Sequence, residues 1–485
     1  MHLLHAASEL HPYSKTGGLA DMVSALARAL ARSGHTVEVV TPLYRGLRER
    51  FPVLRPAGWR FNIRLGDSWV PGEFWRADPE PGLTQWFVDQ PGFFDRAGLY
   101  NEQQADYPDN AARFAFLSKA AFLLARHLPN RLDLIQCHDW QTGLLPLLVH
   151  HARVAEGWGA APRTLYTIHN LAYQGWFPAA QWALSNLPGS WFHLESAMHY
   201  SQWNFMKGGL ALADALATVS PNYAREICTP EYGCGLDGLL RRREYELTGI
   251  LNGVDYGEWN TEANPALPHA YDAEHLEGKA ANKLDLQREL GLDPRPDLPL
   301  FANITRLTDQ KGADLQLAAV AELADAGVPL QFALLGSGDS VLEAAYTDLA
   351  RRHPDCIAAR IGFDPSLAHR IEAGADFYLM PSRFEPCGLN QLYSLRYGTL
   401  PIVRATGGLE DSVVDPRENL ERATGIKFRE PSAPALSNAM RKALSLYPHG
   451  DLLRHFRRTG MQADFSWEKQ SREYVELYEQ VIHGV

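Results

Sequence analysis

Cysteine is scarce. Five occur in 485 residues (Cys137, Cys228, Cys234, Cys356 and Cys387), with no Cys-x-x-Cys pair. That excludes a disulfide framework and a thiolate zinc site, and it fits a reducing compartment. No Asp-x-Asp pair occurs, so no metal ion held by that motif is expected. No apolar run approaches the ~18 residues that a membrane helix needs. The amino-terminal residues lack the charged start, long apolar stretch and cleavage site of a signal peptide. A cytoplasmic protein without a membrane partner is therefore expected. Positive charge is not in excess: the formal net charge is −11, which argues against nucleic acid held by general basicity.

What is present suits a globular chain. Hydrophobic residues make up 46% and aromatics 11%, enough to bury substantial cores. The length suggests two or three domains. Residues 2–7 read as a buried strand. Leu19, Met22, Val23, Leu26 and Leu30 fall at helical spacing over 19–33, with Gly34 just beyond, and 35–41 reads as a second strand. Strand, helix and strand within about forty residues make a βαβ unit and hence a parallel sheet. Further strands are expected at 132–137, 164–168 and 214–220, each ending in a polar cluster. The segment 260–295 is rich in Pro, Asn, Asp and Glu and reads as a connection. A second βα series follows, with strands at 300–305, 331–335, 376–380 and 400–404. Residues 466–485 read as a helix with Trp467, Tyr474, Leu477, Tyr478 and Val481 on one stripe. The expected architecture is α/β: two doubly wound, Rossmann-like domains with a cleft between them, ligands lying beyond the carboxyl ends of the strands.

Five clusters could carry chemistry. Lys15-Thr-Gly-Gly18 lies where a strand hands over to a helix. Its glycines allow close backbone approach, and helix amides with a lysine suit an anion; a tight link with a solvated lysine is the plainer alternative. It is not a Walker A loop, which needs G-x-x-x-x-G-K-[ST]. In Thr305-Arg-Leu-Thr-Asp-Gln-Lys-Gly312, Arg306 and Lys311 share a short loop, where a diphosphate would relieve their repulsion; a solvated basic loop remains open. Pro381-Ser-Arg-Phe-Glu-Pro-Cys-Gly-Leu-Asn-Gln391 holds Glu385 beside Cys387 and Gly388 at a helix start. His169-Asn170 and His138-Asp139-Trp140 close neighbouring strands. Gly336-Ser-Gly338 is half of a G-x-G-x-x-G and still offers amides to a phosphate or ribose. A diphosphate here would be met by Lys15, Arg306, Lys311 and helix ends rather than by a metal ion.

Taken together, SKTGGLAD, HNLAYQG, LNGVD (251–255), RLTDQKG and RFEPCGLNQLYSLRYGTLP resemble the bacterial glycogen synthase and plant starch synthase family, in that family's order and across nearly the whole chain. The resemblance implies the GT-B glycosyltransferase fold. The domains would run 1–255 on the acceptor side with part of the donor site, 256–460 for the nucleotide sugar, and 461–485 as a helix crossing back. It implies retaining transfer of glucose from ADP-glucose to the non-reducing end of glycogen or another α-1,4-glucan, with no cofactor and no metal. By motif, Lys15 and Gly18 would meet the donor diphosphate, Arg306 and Lys311 the leaving phosphate, Glu385 the sugar hydroxyls and His169 the sugar's 6-hydroxyl. Asp21, Asn252, Gly336, Cys387, Gly388 and Leu389 would lie on the nucleotide side, and Glu9, Tyr100 and Asp139 on the acceptor side. Two positions depart from the family: Gln141 stands where histidine is usual, and Asn390 where threonine is usual. Hydrolase-style retention needs two carboxylates ~5–5.5 Å apart, and only Glu385 is a strong candidate, so front-face attack is expected. Three other readings stay open: a retaining transferase with another donor or a small acceptor, a pyridoxal-phosphate-dependent glucan phosphorylase, and a silent glucan-binding scaffold.

Overall fold

A computed structural model describes residues 1–102 and 105–484. The chain divides into two compact units. Unit 1 comprises Met1–Val219, Ala224–Gly253 and Trp467–Val485; unit 2 comprises Ser220–Tyr223 and Val254–Ser466.

Unit 1 begins with the expected βαβ motif: strand His2–Ala6, helix Gly18–Arg32 and strand Thr36–Pro42. The helix buries Leu19, Met22, Val23, Leu26 and Leu30. The sheet has nine strands, in the order Leu247–Gly249, Ala215–Thr218, Arg163–Ile168, Leu134–His138, His2–Ala6, Thr36–Pro42, Leu83–Asp89, Ser68–Glu80 and Arg55–Leu65. The first seven pair in parallel. The last two form an antiparallel extension, which departs from the expectation of a purely parallel sheet. Its cause is local: Phe61, Ile63 and Leu65 alternate with polar residues and are buried, the pattern of a half-solvated antiparallel strand. The helix expected over 466–485 runs Trp467–His483 and buries Trp467, Tyr474, Leu477 and Tyr478. Val485 lies outside the described residues.

Unit 2 holds six parallel strands in the order Ile357–Ile361, Gln331–Gly338, Leu300–Leu307, Phe377–Met380, Leu400–Arg404 and Ile426–Phe428. Strands covered on both faces read as continuous apolar runs, which is why 300–305, 331–335 and 400–404 were legible. One core includes Phe301, Leu323, Phe332, Phe377 and Phe456. A second includes Leu286, Leu335, Leu367 and Ile371.

The segment 260–295 is not merely a connection, because it contains the helix Glu277–Leu290. That helix buries Lys279, Asn282, Lys283 and Gln287 beside Leu286 and Leu290, so polar residues occupy its inner face and hide the apolar period. Lys283 Nζ donates to Asp376 at 2.7 Å and to the Tyr447 hydroxyl at 2.7 Å. Arg457 reaches the other Asp376 oxygen at 2.6 Å. Lys279 Nζ donates to Thr399 Oγ1 at 2.6 Å and to the Ala373 carbonyl at 3.0 Å. Burial alone would push the Asp376 carboxyl upward, but Lys283 and Arg457 outweigh it and hold the group below the usual aspartate range. Among the described residues no helix is long and apolar enough to cross a membrane.

Candidate active site

Both sheets reverse their winding at one place, and an open α/β sheet binds ligands beyond the strand ends at such a switch point. In unit 1 the reversal falls between His2–Ala6 and Leu134–His138; in unit 2 it falls between Leu300–Leu307 and Phe377–Met380. Most of the sequence-derived residues lie on or just after the strands around these two places, whereas Asn252 follows the edge strand Leu247–Gly249 and Gly336 lies in Gln331–Gly338.

In unit 1, Lys15 and Gly18 are exposed at the start of the helix Gly18–Arg32. Lys15 Nζ pairs with Asp21 at 2.7 Å, so Asp21 sets where the ammonium sits. Glu9 is 3% exposed. One of its oxygens accepts from the Thr16 amide at 2.6 Å; the other accepts from Thr16 Oγ1 and the Tyr100 hydroxyl, both at 2.6 Å. The Tyr100 hydroxyl also bonds Ser8 Oγ at 2.7 Å. Burial, and next the Glu9 charge, push the Tyr100 phenol well above its usual range. Glu9 and Tyr100 thus hold the loop that carries Lys15. Asn252 is buried near the last residues of this unit's second segment.

Asp139 has a left-handed backbone (φ 56°), a strained state that side chains other than glycine rarely adopt. Its Oδ1 accepts from the amides of His169 at 2.7 Å and Asn170 at 3.3 Å. Burial raises this carboxyl to about 7, with those amides pulling the other way. Asp139 therefore fixes the backbone of the His169 loop. Behind it runs a file of three histidines. His5 Nδ1 lies 3.3 Å from His138 Nε2, and His138 Nδ1 lies 3.0 Å from His169 Nε2. Burial pushes His5 and His169 down to about 3, and it lowers His138 further, with its two neighbours adding to the effect. All three rings are neutral at pH 7. His5 Nε2 is buried without a partner, and an orphaned buried N–H is rarer than an orphaned lone pair. His5 therefore carries its proton on Nδ1 and donates to His138. His138 donates from Nδ1 to His169, whose own proton must sit on Nδ1. No partner for that nitrogen occurs among the described residues.

In unit 2, Lys311 Nζ donates to Glu385 Oε2 at 2.6 Å, and Ser382 Oγ donates to the same oxygen at 3.0 Å. Glu385 is buried and Lys311 half-buried. Arg306 is exposed, and its guanidinium has no partner among the described residues. The two motif loops are laced together. Arg383 clamps Asp314 through two bonds at 2.7 and 2.8 Å, its amide donates to the Gln310 carbonyl at 2.8 Å, and Arg404 Nε donates to the Ser382 carbonyl at 2.8 Å. Sequence reasoning missed Ser382, Arg383 and Arg404 as supports, and it missed His5, whose only signal was a histidine inside an apolar strand.

Cys387 is buried, and Gly388 and Leu389 are half-buried just before the helix Asn390–Arg396. Buried Gln391 ties down the carbonyls of Cys387 and Gly388 at 3.0 and 3.1 Å. Asn390, one of the two departures, donates to the Ile304 carbonyl at 2.7 Å and the Tyr378 hydroxyl at 2.6 Å; it joins the two strands at the switch point. Gln141, the other, is buried with Oε1 unpartnered among the described residues. The Gly336 cluster differs from expectation. Asp339 caps the Val341 and Leu342 amides at 2.8 and 3.1 Å, and Glu343 takes the Gly338 amide at 2.8 Å. Those three amides are occupied. Gly336 itself is small because a Cβ there would lie 2.1 Å from the Thr305 carbonyl on the neighbouring strand.

Gly407 has φ +45°, and a Cβ there would sit 1.8 Å from the Glu385 carbonyl oxygen. Gly407→Ala is expected to displace Glu385, lowering turnover together with stability, the latter by more than about 1 kcal/mol. A thermal melt and a rate measurement check both, and parent values in both would contradict the tight approach.

The starch synthase catalytic domain family matches residues 2–242, and the glycosyl transferases group 1 family matches 291–462. A glycogen synthase of Anaeromyxobacter sp. (strain Fw109-5) is 49% identical over 99% of both chains. One from Syntrophotalea carbinolica is 43% identical, also over 99% of both. Among solved structures, the catalytic domain of starch synthase IV from Arabidopsis thaliana, bound to ADP and acarbose, superposes with a TM-score of 0.88 at 31% identity, covering 99% of each chain. With two parallel-sheet units in place and this similarity along its whole length, the chain belongs to the glycogen and starch synthase family, glucosyltransferases of the GT-B fold.

Proposed function

We propose that the chain acts in the cytoplasm as a glycogen synthase, moving glucose from ADP-glucose to the non-reducing end of an α-1,4-glucan with retention at the anomeric carbon. The observation that carries this reading is the composition of the unit 2 switch point: an unpartnered Arg306 guanidinium near the end of strand Leu300–Leu307 rather than on the expected loop, five residues before the Lys311 that already neutralises Glu385. That strand end has one cation to spare, as a departing diphosphate requires. The family likeness supports the same choice of donor and acceptor.

In this scheme the bond from the anomeric carbon to the diphosphate oxygen breaks as the acceptor's 4-oxygen approaches the same face. The acceptor proton passes to the departing phosphate oxygen, so ADP leaves and one glycosidic bond replaces another. Glu385, buried and paired with Lys311, is a poor nucleophile and is assigned to sugar hydroxyls. Arg306 and Lys311 meet the charge growing on the leaving group, the kind of fixed electrostatic help that supplies much of many rate enhancements. We assign that charge to side chains rather than to a metal ion because a cation without a partner is available for it. In unit 1, His169 would donate from Nδ1 to a sugar oxygen, with His138 and His5 holding the tautomer. Lys15 and Gly18 would meet phosphate oxygens, while Asp21 positions the lysine. Glu9, Tyr100 and Asp139 would act by holding loops rather than by touching the acceptor. Cys387, Gly388 and Leu389 would line the nucleotide side, with Asn252 and Gly336 as packing positions.

The test is incubation with radiolabelled ADP-glucose and glycogen, with UDP-glucose in parallel. Label entering the polymer as α-1,4-linked glucose with stoichiometric ADP, and faster from ADP-glucose, is the expected result. No label in polymer, or preference for a small acceptor, overturns the reading.

A further inference from the structure

The central sheet of unit 2 opens between two of its strands. Strand Leu300–Leu307 pairs with Gln331–Gly338 along its whole length, from Leu300 opposite Gln331 to Leu307 opposite Gly338. On its other side, among the described residues, it pairs with Phe377–Met380 only at Phe301 and Ala302. Phe377–Met380 itself stays paired with Leu400–Arg404 from Phe377 to Met380. The two strands therefore part beyond Ala302, at the switch point, where an open α/β sheet makes its crevice. Arg306 stands on the splayed end.

Side chains fill the opening. Tyr378 is buried; its hydroxyl accepts from the Ile304 amide and donates to the Ile304 carbonyl, both at 2.8 Å. Asn390 Nδ2 donates to that same carbonyl at 2.7 Å and to the Tyr378 hydroxyl at 2.6 Å. One residue earlier, Asn303 Nδ2 donates to the Leu379 carbonyl. Burial pushes the Tyr378 phenol well above its usual range, so the hydroxyl keeps the proton it donates. Both N–H groups of the Asn390 amide, the Tyr378 proton and both backbone groups of Ile304 are thus used within one closed set. A join needed for stability alone is as well made by apolar side chains of similar shape. Here polar bonds tie the strand end, the neighbouring strand and the first residue of the helix Asn390–Arg396 to one residue. That residue stands two positions, or roughly 7 Å along the strand, before Arg306.

We propose that Asn390 and Tyr378 are positioning residues for glucosyl transfer: they hold the strand end that carries Arg306 at a fixed spacing from the nucleotide-side segment Cys387–Leu389. The inference rests on the leaving-group role given to Arg306 above. The Arg306 guanidinium is exposed and has no partner among the described residues, so its reach is set by where its backbone begins. Cys387–Leu389 runs directly into Asn390. One diphosphate has to be met from both sides, and a cation helps the transition state most when nothing needs to rearrange as the charge develops. Asn390 ties the two sides together through a single nitrogen, and Tyr378 sets the width of the opening that this tie spans.

The experiment is a double-mutant cycle on the full chain, with turnover of ADP-glucose on glycogen and a thermal melt for each protein. The four proteins are the parent, Asn390→Ala, Arg306→Ala and the double variant. Asn390→Ala is expected to lower kcat by about tenfold, with KM for ADP-glucose unchanged. In the Arg306→Ala background the same change should cost less than about twofold in kcat, while lowering the thermal midpoint as much as it does in the parent. A residue that only stabilises the fold would shift the midpoint and show no such coupling. A parent-like kcat in Asn390→Ala overturns the proposal, and so does an equal loss in both backgrounds. Should Asn390→Ala not fold, Asn390→Thr, which keeps one hydroxyl donor, and Tyr378→Phe, which keeps the ring, run the same cycle under the same criteria. A parent-like rate in Arg306→Ala removes the leaving-group reading and this inference together, whereas independent losses beside a slow Arg306→Ala remove the inference alone.

Discussion

Arg306→Ala lowers turnover by about 10²–10³, corresponding to roughly 2.7–4 kcal/mol of transition-state stabilisation, and leaves the thermal midpoint where it was. The two halves of that expectation have one cause. The guanidinium is exposed and has no partner among the described residues, so the folded protein loses no interaction when it is removed. What is lost is a donor that engages only when the leaving group gathers charge. Arg306→Lys restores the charge but not the two-pronged geometry, and it should recover only part of the rate. Turnover with ADP-glucose and glycogen, set beside a melting curve, reads both halves; a parent-like rate in Arg306→Ala would remove the electrostatic account. Lys311 does not offer the same clean separation. Its removal strands the buried Glu385, so Lys311→Ala should lose stability as well as rate.

Asp376→Ala destabilises unit 2 by about 3–5 kcal/mol, the penalty for leaving buried charges without their partner. Asp376 is 4% exposed and receives Lys283, Arg457 and the Leu300 amide. Deleting it leaves two cations facing each other beneath the central strands. The pH dependence has a definite sign. The carboxyl is held below its unfolded value, so its contribution is full above the ordinary aspartate pKa of about 3.9 and fades as the pH falls below that value toward the folded-state one. Urea unfolding of parent and variant at neutral pH and near pH 3 checks this. The gap between the two proteins should narrow in acid, and a gap below 1 kcal/mol at neutral pH would contradict it.

The legible parts of the fold share a physical signature. Strands buried on both faces, such as 400–404, announce themselves as apolar runs, and the helix Gly18–Arg32 announces itself by a clean apolar stripe. The helix Glu277–Leu290 did neither, because lysines 279 and 283 point inward to carboxylate and carbonyl partners that lie far away in sequence. The same holds for the site. Lys15, Arg306, Lys311 and Glu385 stood out because charged residues beside glycines at strand ends are chemically unusual. Their supports did not. Glu9 looks like any carboxylate until Thr16 and Tyr100 are seen to occupy it, and His5 looks like an interruption in a strand until its ring is seen facing His138. Sequence shows which residue types stand at a position, whereas hydrogen bonds that close over separations from 7 to 133 residues become visible only when the chain is folded.

Unit 1 is assembled from pieces that leave the ribosome far apart in time. The helix Trp467–His483 packs against Gly18–Arg32 and Arg163–Ile168, and its Tyr478 hydroxyl bonds Gln136, yet it is made only after the roughly two hundred residues of unit 2. At about 5–20 residues per second, the nascent amino-terminal unit waits roughly ten to forty seconds with the seat for Trp467, Tyr474, Leu477 and Tyr478 open to water. Translation intermediates stalled between residues 254 and 466 should therefore recruit holdase chaperones to that greasy seam.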